Sequence, residues 1–170
     1  MIGALKHKSI RKNLVKLLDQ QRELPKAAVS SVLVLTDALN DSLNEQILQL
    51  KSHLKLKPAD IWIREFTVGL KTEDLQRHQW SKKHFGWKGR FEHEDAQILQ
   101  EKGFDLVIGF YWGSNPYLDS VIAKIPNSFR VGTKAGNEQL YDLMIDTPIG
   151  DWDSFEKELL KYLSILKLRA

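Results

Sequence analysis

Two apolar segments decide the fold of this chain: Ala28-Val-Ser-Ser-Val-Leu-Val-Leu-Thr36 and Phe104-Asp-Leu-Val-Ile-Gly-Phe-Tyr-Trp112. The run from Val32 to Leu35 is uninterrupted, and the second segment is the clearest strand candidate after the first. Strands that are apolar on both faces are typical of the centre of a parallel sheet. We therefore expect the two segments to lie side by side and to point the same way.

Shorter apolar runs and helix-start signals surround these segments. Three further strands are expected, at 61–68, 129–133 and 141–146. Four helices are expected in the intervals: from Asn40 or Asp41 through His53, over 93–102, from Asn115 with Pro116 at its first position, and from Asp151. Residues 70–91 are expected to form a loop with a short extended piece. The alternation predicts an α/β fold, a three-layer Rossmann-like sandwich with a mostly parallel sheet of about five strands.

The N-terminal segment differs from the rest of the chain in charge. Residues 1–30 hold seven Lys and Arg against two acidic residues, a net of +5, so the remainder carries −2 of the total of +3. An amphipathic helix is expected over 9–24, with Ser9 as its N-cap and an apolar stripe formed by Ile10, Leu14, Leu17 and Leu18. We therefore divide the chain into a basic N-terminal helix at 1–27 and a single α/β domain at 28–170.

The bulk composition excludes several classes of protein. The 170 residues include no cysteine, which rules out disulfides, thiolate metal sites and thiol nucleophiles. No stretch approaches the ~18 apolar residues of a membrane-spanning helix, and the N-terminus lacks the apolar core of a signal peptide. The sequence therefore predicts a cytoplasmic protein.

One part of the chain resembles a known group of enzymes. The strand Phe104-Asp-Leu-Val-Ile-Gly-Phe, the helix that follows it and the segment Phe129-Arg-Val-Gly132 resemble the N-terminal, acceptor-side domain of heptosyltransferase-like glycosyltransferases. In those proteins a strand of Tyr/Phe-Asp-Leu-Val-Ile type precedes a helix, and a strand with Arg-Ile/Val-Gly follows. The resemblance covers under a fifth of the chain. It implies a first domain that lacks the second domain, which holds the nucleotide-sugar donor.

The chain as a whole resembles a family of uncharacterised small bacterial α/β proteins. The resemblance is carried by Phe85-Gly-Trp-Lys-Gly89, Phe129-Arg-Val-Gly132 and Tyr141-Asp-Leu-Met-Ile-Asp146. It implies a Rossmann-like α/β domain and no known activity.

Candidate ligand-binding residues follow the two central strands. Thr36 and Asp37 follow the first, and Trp112, Ser114 and Asn115 follow the second. Ligands of open α/β sheets bind beyond the carboxyl ends of the strands, where helix N-termini attract anions. These residues would bind a phosphorylated or sugar-like ligand. The alternative is that they are ordinary cap and turn residues.

Arg130 and Asp146, on the late predicted strands, complete the set of candidate ligand-binding residues. A charged residue on such a strand marks either a site or a strand end. The alternative for these two is a structural ion pair.

No catalytic or metal-ligating set emerges from the sequence. It contains neither a Gly-rich phosphate loop nor a Gly-x-Ser-x-Gly elbow. The run from His84 to Asp95 has metal-ligating residue types, but His93 and Glu94 point to different helix faces, and a solvated acidic helix start explains the run better. We therefore expect no metal and no cofactor, and favour a non-enzymatic protein.

Two surfaces are candidates for a partner, the basic N-terminal helix and the aromatic–basic loop Trp80–Phe91. Self-association through either is the contact that the sequence suggests. Nucleic-acid and membrane binding are less favoured, because the body is net acidic and the apolar stripe of the helix has no aromatic residue. Three functions stay open: a non-enzymatic binding or interaction module, a small-molecule binding protein or enzyme, and a nucleic-acid-associated protein.

Overall fold

The two central segments pair directly. Strand β1 (Val32–Thr36) runs parallel to strand β4 (Leu106–Phe110), and Val34 lies opposite Ile108. Because the run from Val32 to Leu35 is buried on both sides, these strands form the centre of the sheet. The expectation of adjacent, parallel central strands is confirmed.

The computed structural model describes residues 2–170, with side chains from residue 3 onward. The remaining strands are β2 (Ile61–Thr67), β3 (Gln79–Ser81), β5 (Phe129–Thr133) and β6 (Leu143–Ile145). The helices are α1 (Ile2–Leu18), α2 (Asp41–His53), α3 (Asp95–Glu101), α4 (Pro116–Lys124) and α5 (Trp152–Ile165). No helix within residues 2–170 is long and apolar enough to cross a membrane.

All neighbouring strands are parallel, in the order β3-β2-β1-β4-β5-β6. The sheet therefore has six strands, and the prediction of about five is wrong. The extra strand is β3, the extended piece within the expected loop at 70–91. Three residues are too few to show a strand period, although Trp80 at the centre of β3 is fully buried.

Helices cover both faces of the sheet. Val34 and Ile108 point towards the layer that contains α2 and α5. Leu35 and Val107 point to the opposite layer, where α4 and the buried residues of α1 and α3 pack. The α/β class and the predominantly parallel sheet are confirmed.

Local capping signals place three helix starts correctly. The Asn40 side chain accepts a hydrogen bond from the Leu43 N–H at 2.8 Å, and the Asp151 side chain caps α5 by accepting from the Ser154 N–H at 3.0 Å. Asn115 accepts from two N–H groups in the first turn of α4. Each cap satisfies helix N–H groups that have no partner within the helix.

The N-terminal helix is present, but its bounds differ from the predicted 9–24. It starts by Ile2 and ends at Leu18, so Ser9 lies inside the helix rather than at its cap. Beyond it, Arg22 donates to the Ser128 carbonyl at 2.5 Å, and the Glu23 N–H donates to Asn127 at 3.3 Å. These contacts hold the chain against the loop before β5, which gives a physical reason for the helix to end early.

The apolar stripe of α1 packs on the same chain. Ile10 is fully buried and Leu14 nearly so, with Leu17 and Leu18 partly buried against the same cluster. Asn13 donates to the Lys88 carbonyl at 2.6 Å, which fixes the helix to the loop 82–89. The most deeply buried part of the stripe is therefore not available to a partner.

The ring of Tyr141 lies close to three glycines, of which Gly109 and Gly132 are in the sheet and Gly136 follows β5. Gly109 and Gly132 are register partners on β4 and β5, and the ring of Tyr141 lies over both. A Cβ atom at Gly132 would lie 2.6 Å from Cδ2 of that ring. Because Tyr141 is itself buried, the ring cannot move aside without disturbing the core.

We predict that Gly132→Ala lowers the free energy of unfolding by about 1–3 kcal/mol, the usual cost of overpacking a core. Urea denaturation measures the change. Gly3→Ala is the matched control, because a Cβ there meets open space within a helix. The control should be neutral or stabilising by up to about 1 kcal/mol. Equal stabilities of Gly132→Ala and the wild type would contradict the packing described for Tyr141.

Candidate functional site

Strands β2 and β3 lie beyond β1 on one side of the sheet, and strands β5 and β6 lie beyond β4 on the other. The strand order therefore reverses between β1 and β4. The helix after β1, α2, packs on one face of the sheet through Ile47 and Leu50. The helix after β4, α4, packs on the other face through Leu118 and Val121. The two loops that leave these strands therefore turn towards opposite faces, and we call the position between them at the carboxyl edge of the sheet, where open α/β sheets commonly hold a ligand, the crevice.

Thr36 and Asp37 lie on the β1 side of this crevice. Thr36 is buried, and its hydroxyl accepts a hydrogen bond from the Ala38 N–H at 3.3 Å. Asp37 is exposed, but partial loss of hydration raises the pKa of its carboxyl, and the nearby Glu65 carboxylate raises it further. Glu65 lies opposite Thr36 in the register of β1 with β2.

The second loop places Trp112, Ser114 and Asn115 on the β4 side. Trp112 packs edge-on against Phe110 at 4.8 Å between ring centroids. Gly113 has φ +87°, and the space beside it is open. Ser114 is exposed, whereas the amide oxygen of Asn115 is occupied by the cap of α4. Trp112 and Ser114 are therefore better placed than Asn115 to contact a ligand.

The structure places Arg130 at the opposite edge of the sheet from these five residues and does not pair it with Asp146. Arg130 is near the amino end of β5 and is buried. Asp146 follows β6 at the carboxyl edge and pairs with Lys134 at 2.9 Å. The two residues do not form the structural ion pair that was the alternative for them.

The sequence did not reveal a buried polar network beneath the β4 loop. The Tyr111 hydroxyl donates to Asp119 at 2.6 Å, and the Tyr141 hydroxyl donates to that of Tyr111 at 2.9 Å. The other Asp119 oxygen accepts from the exposed Ser114 at 3.4 Å. Burial raises the pKa of Asp119 to about 6. Asp119 stands among apolar residues in the first turn of α4, and that was the only signal available in the sequence.

A polar cavity of about 480 Å³ lies on the β2 side of the carboxyl edge. Its polar lining residues are Asn40, Asp41, Asn44, Glu65, Gln76, His78 and Gln79. Glu65 is held firmly, because one carboxylate oxygen accepts from the Leu39 N–H at 3.0 Å and the other from Gln79 Nε2 at 2.9 Å. None of these lining residues was among the candidates. Glu65 interrupts the alternation of β2, which is the signal that could have found it.

Side chains of the segment from His84 to Asp95 make hydrogen bonds within the chain. Asp95 is almost completely buried and accepts from Arg64 Nε at 2.7 Å and from Trp80 Nε1 at 3.0 Å. Nδ1 of His84 accepts from the Ser81 N–H, and Nδ1 of His93 accepts from the Asp95 N–H, both at 3.1 Å. Asp95 is therefore not the solvated helix-start acid that the sequence suggested.

Comparison with known protein families matches residues 6–166 to the Family of unknown function (DUF6913). Neither the curated proteins nor the solved structures contain a match.

We predict that Asp119 makes the stability of the chain dependent on pH. Because its folded pKa of about 6 lies above the ordinary value of 3.8, the native state holds an extra proton between these values. The free energy of unfolding should therefore fall as pH rises from about 4 to 6, by an amount on the order of 2–3 kcal/mol. Asp119→Asn should remove this fall.

Urea denaturation across pH 4–8 tests the assignment. Asp74→Asn, at an exposed carboxylate, is the control and should keep the wild-type profile. The assignment fails when Asp119→Asn retains the wild-type slope between pH 4 and 6.

Proposed function

Since this chain belongs to DUF6913, a family of unknown function, we propose its function from the geometry: it is a binding module that takes a hydroxyl-rich, sugar-like small molecule at the carboxyl edge of a Rossmann-like sheet. The polar cavity beside Glu65 carries the proposal. It adjoins Thr36 and Asp37, the first pair of candidate residues.

The chemistry of the lining supports a polyhydroxylated ligand. Amide side chains such as Asn44 and Gln76 can both donate and accept, as sugar hydroxyls do. Glu65 and Gln79 hold each other in place, so less side-chain freedom is lost when a ligand binds. Leu39 and Ile63 add an apolar surface for the carbon face of a sugar ring.

Charge favours a neutral sugar over a phosphorylated one. The described residues that line the cavity include the carboxylates of Asp41 and Glu65 and no Lys or Arg. Asp37 adds a third carboxylate nearby. A phosphate group would meet these negative charges, whereas hydroxyl groups would donate hydrogen bonds to them.

We predict that neutral hexoses shift the backbone amide NMR signals of Leu39, Glu65 and Gln79 in a saturable titration. The matching hexose 6-phosphates should bind at least about tenfold more weakly because of the local carboxylates. Glu65→Gln should weaken hexose binding about tenfold, since a hydrogen bond to a charged group becomes one to a neutral group.

Glu158→Gln is the matched control, because the Glu158 side chain is solvent-accessible and, among the described residues, pairs with Lys161 alone. It should bind hexoses like the wild type. Hexose 6-phosphates that bind as tightly as the hexoses, or hexoses that leave the three amides unchanged, would overturn the proposal.

A further inference from the structure

A second region, away from the carboxyl edge, combines cavities with buried positive charge. One cavity of about 340 Å³ lies where the segment after α1 meets the end of α4, and Arg22, Lys124 and Arg130 line it. A second cavity of about 290 Å³ lies between α3 and α4, with Leu99 and Val121 in its lining. Lys124 borders both cavities, so the two adjoin.

Arg130 is unusual because its buried guanidinium has no carboxylate partner among the described residues. Only 3% of the residue is exposed. Nη2 donates to the carbonyls of Ala123 and Ile125, both at 3.1 Å, and Nε has no hydrogen-bond partner among the described atoms. The neighbouring Asp142 accepts instead from the Arg130 backbone N–H and pairs with the guanidinium of Arg22.

Positive charge therefore exceeds negative charge around the first cavity. Asp142 pairs with the guanidinium of Arg22 and accepts only the backbone N–H of Arg130. Lys124 is half-buried and donates to the Gly89 carbonyl at 2.8 Å, which does not neutralise it. Buried charges are normally paired, because an unpaired one costs several kcal/mol to hold away from water. A bound anion would supply the missing negative charge.

The second cavity indicates what the rest of the ligand is. Leu99, Val121, Ile125 and Phe91 give it an apolar wall, and its polar lining residues are Arg90, Gln97, Gln100 and Lys124. An anion that occupied only the first cavity would leave this wall exposed to water. A molecule with an anionic head and an apolar chain would use both cavities.

We propose that the chain binds an amphipathic carboxylate here, with the carboxylate between Arg22, Lys124 and Arg130 and the apolar chain between α3 and α4. The Arg130 Nε–H, which has no other partner among the described atoms, would donate to one carboxylate oxygen. This site lies at the amino end of β5, away from the cavity beside Glu65, and does not depend on the sugar-binding proposal.

The test titrates the full chain with octanoate, 1-octanol and inorganic phosphate, and follows the NMR signals of the arginine Nε–H groups. Octanoate should bind saturably and shift the Arg130 Nε–H signal. The alcohol and phosphate should each bind at least about tenfold more weakly, because each lacks one half of the ligand. The proposal would be overturned if 1-octanol or phosphate bound as tightly as octanoate, or if octanoate showed no saturable binding.

Two variants separate the head and chain subsites. Lys124→Met keeps the aliphatic stem and should weaken octanoate about tenfold. Ala96→Phe fills the apolar cavity and should weaken octanoate but leave the weak phosphate binding unchanged. Lys157→Gln, on α5, is the control and should bind like the wild type. If Lys124→Met does not fold, Arg22→Gln is tested in its place, with the same expected loss of octanoate affinity. The assignment is overturned if the folded head variant and the folded chain variant both bind octanoate as tightly as the wild type.

Discussion

The parallel pairing of β1 with β4 is the constraint on which the rest of the structure depends. Val34 and Ile108 are opposite each other, so the buried faces of both strands are fixed to the same two helical layers. Neighbouring parallel strands need crossover connections, and the chain places α2 on one face and α4 on the other. A slip of one residue would reverse every side chain on a strand. The crevice at the carboxyl edge follows directly from this pairing.

Features encoded by a few neighbouring residues were predictable from the sequence, and those that depend on distant contacts were not. The caps at Asn40 and Asn115 are local, because the capping side chain and the N–H that it accepts from lie within three residues. Strand β3 depends on contacts outside its three residues, such as the hydrogen bond from the buried Trp80 to Asp95. The sequence also does not show where along its strand a charged residue lies. For this reason Arg130 was grouped with the candidates beside β1 and β4, although it lies away from them.

The two proposed sites differ in charge because one lies at the carboxyl ends of strands and the other lies at the end of a helix. The cavity beside Glu65 lies at the carboxyl ends of strands and is lined by carboxylates and amides. The cavity beside Arg130 lies where α4 ends, and its charged groups are cationic. A net charge of +3 for the whole chain conceals this separation. Ligand preference here follows from the local charges that line each cavity.

Two consecutive residues connect the carboxyl-edge crevice with the cationic cavity. The ring of Tyr141 passes over Gly109 and Gly132, and its hydroxyl reaches Tyr111 and thus the Asp119 network below the crevice. The next residue, Asp142, holds Arg22 and the backbone of Arg130. The small residues on β4 and β5 are needed because only glycine lets the ring lie close to the sheet. Displacement of that ring would disturb the buried carboxylate on one side and the Asp142 carboxylate on the other, so the glycine pair supports both regions at once.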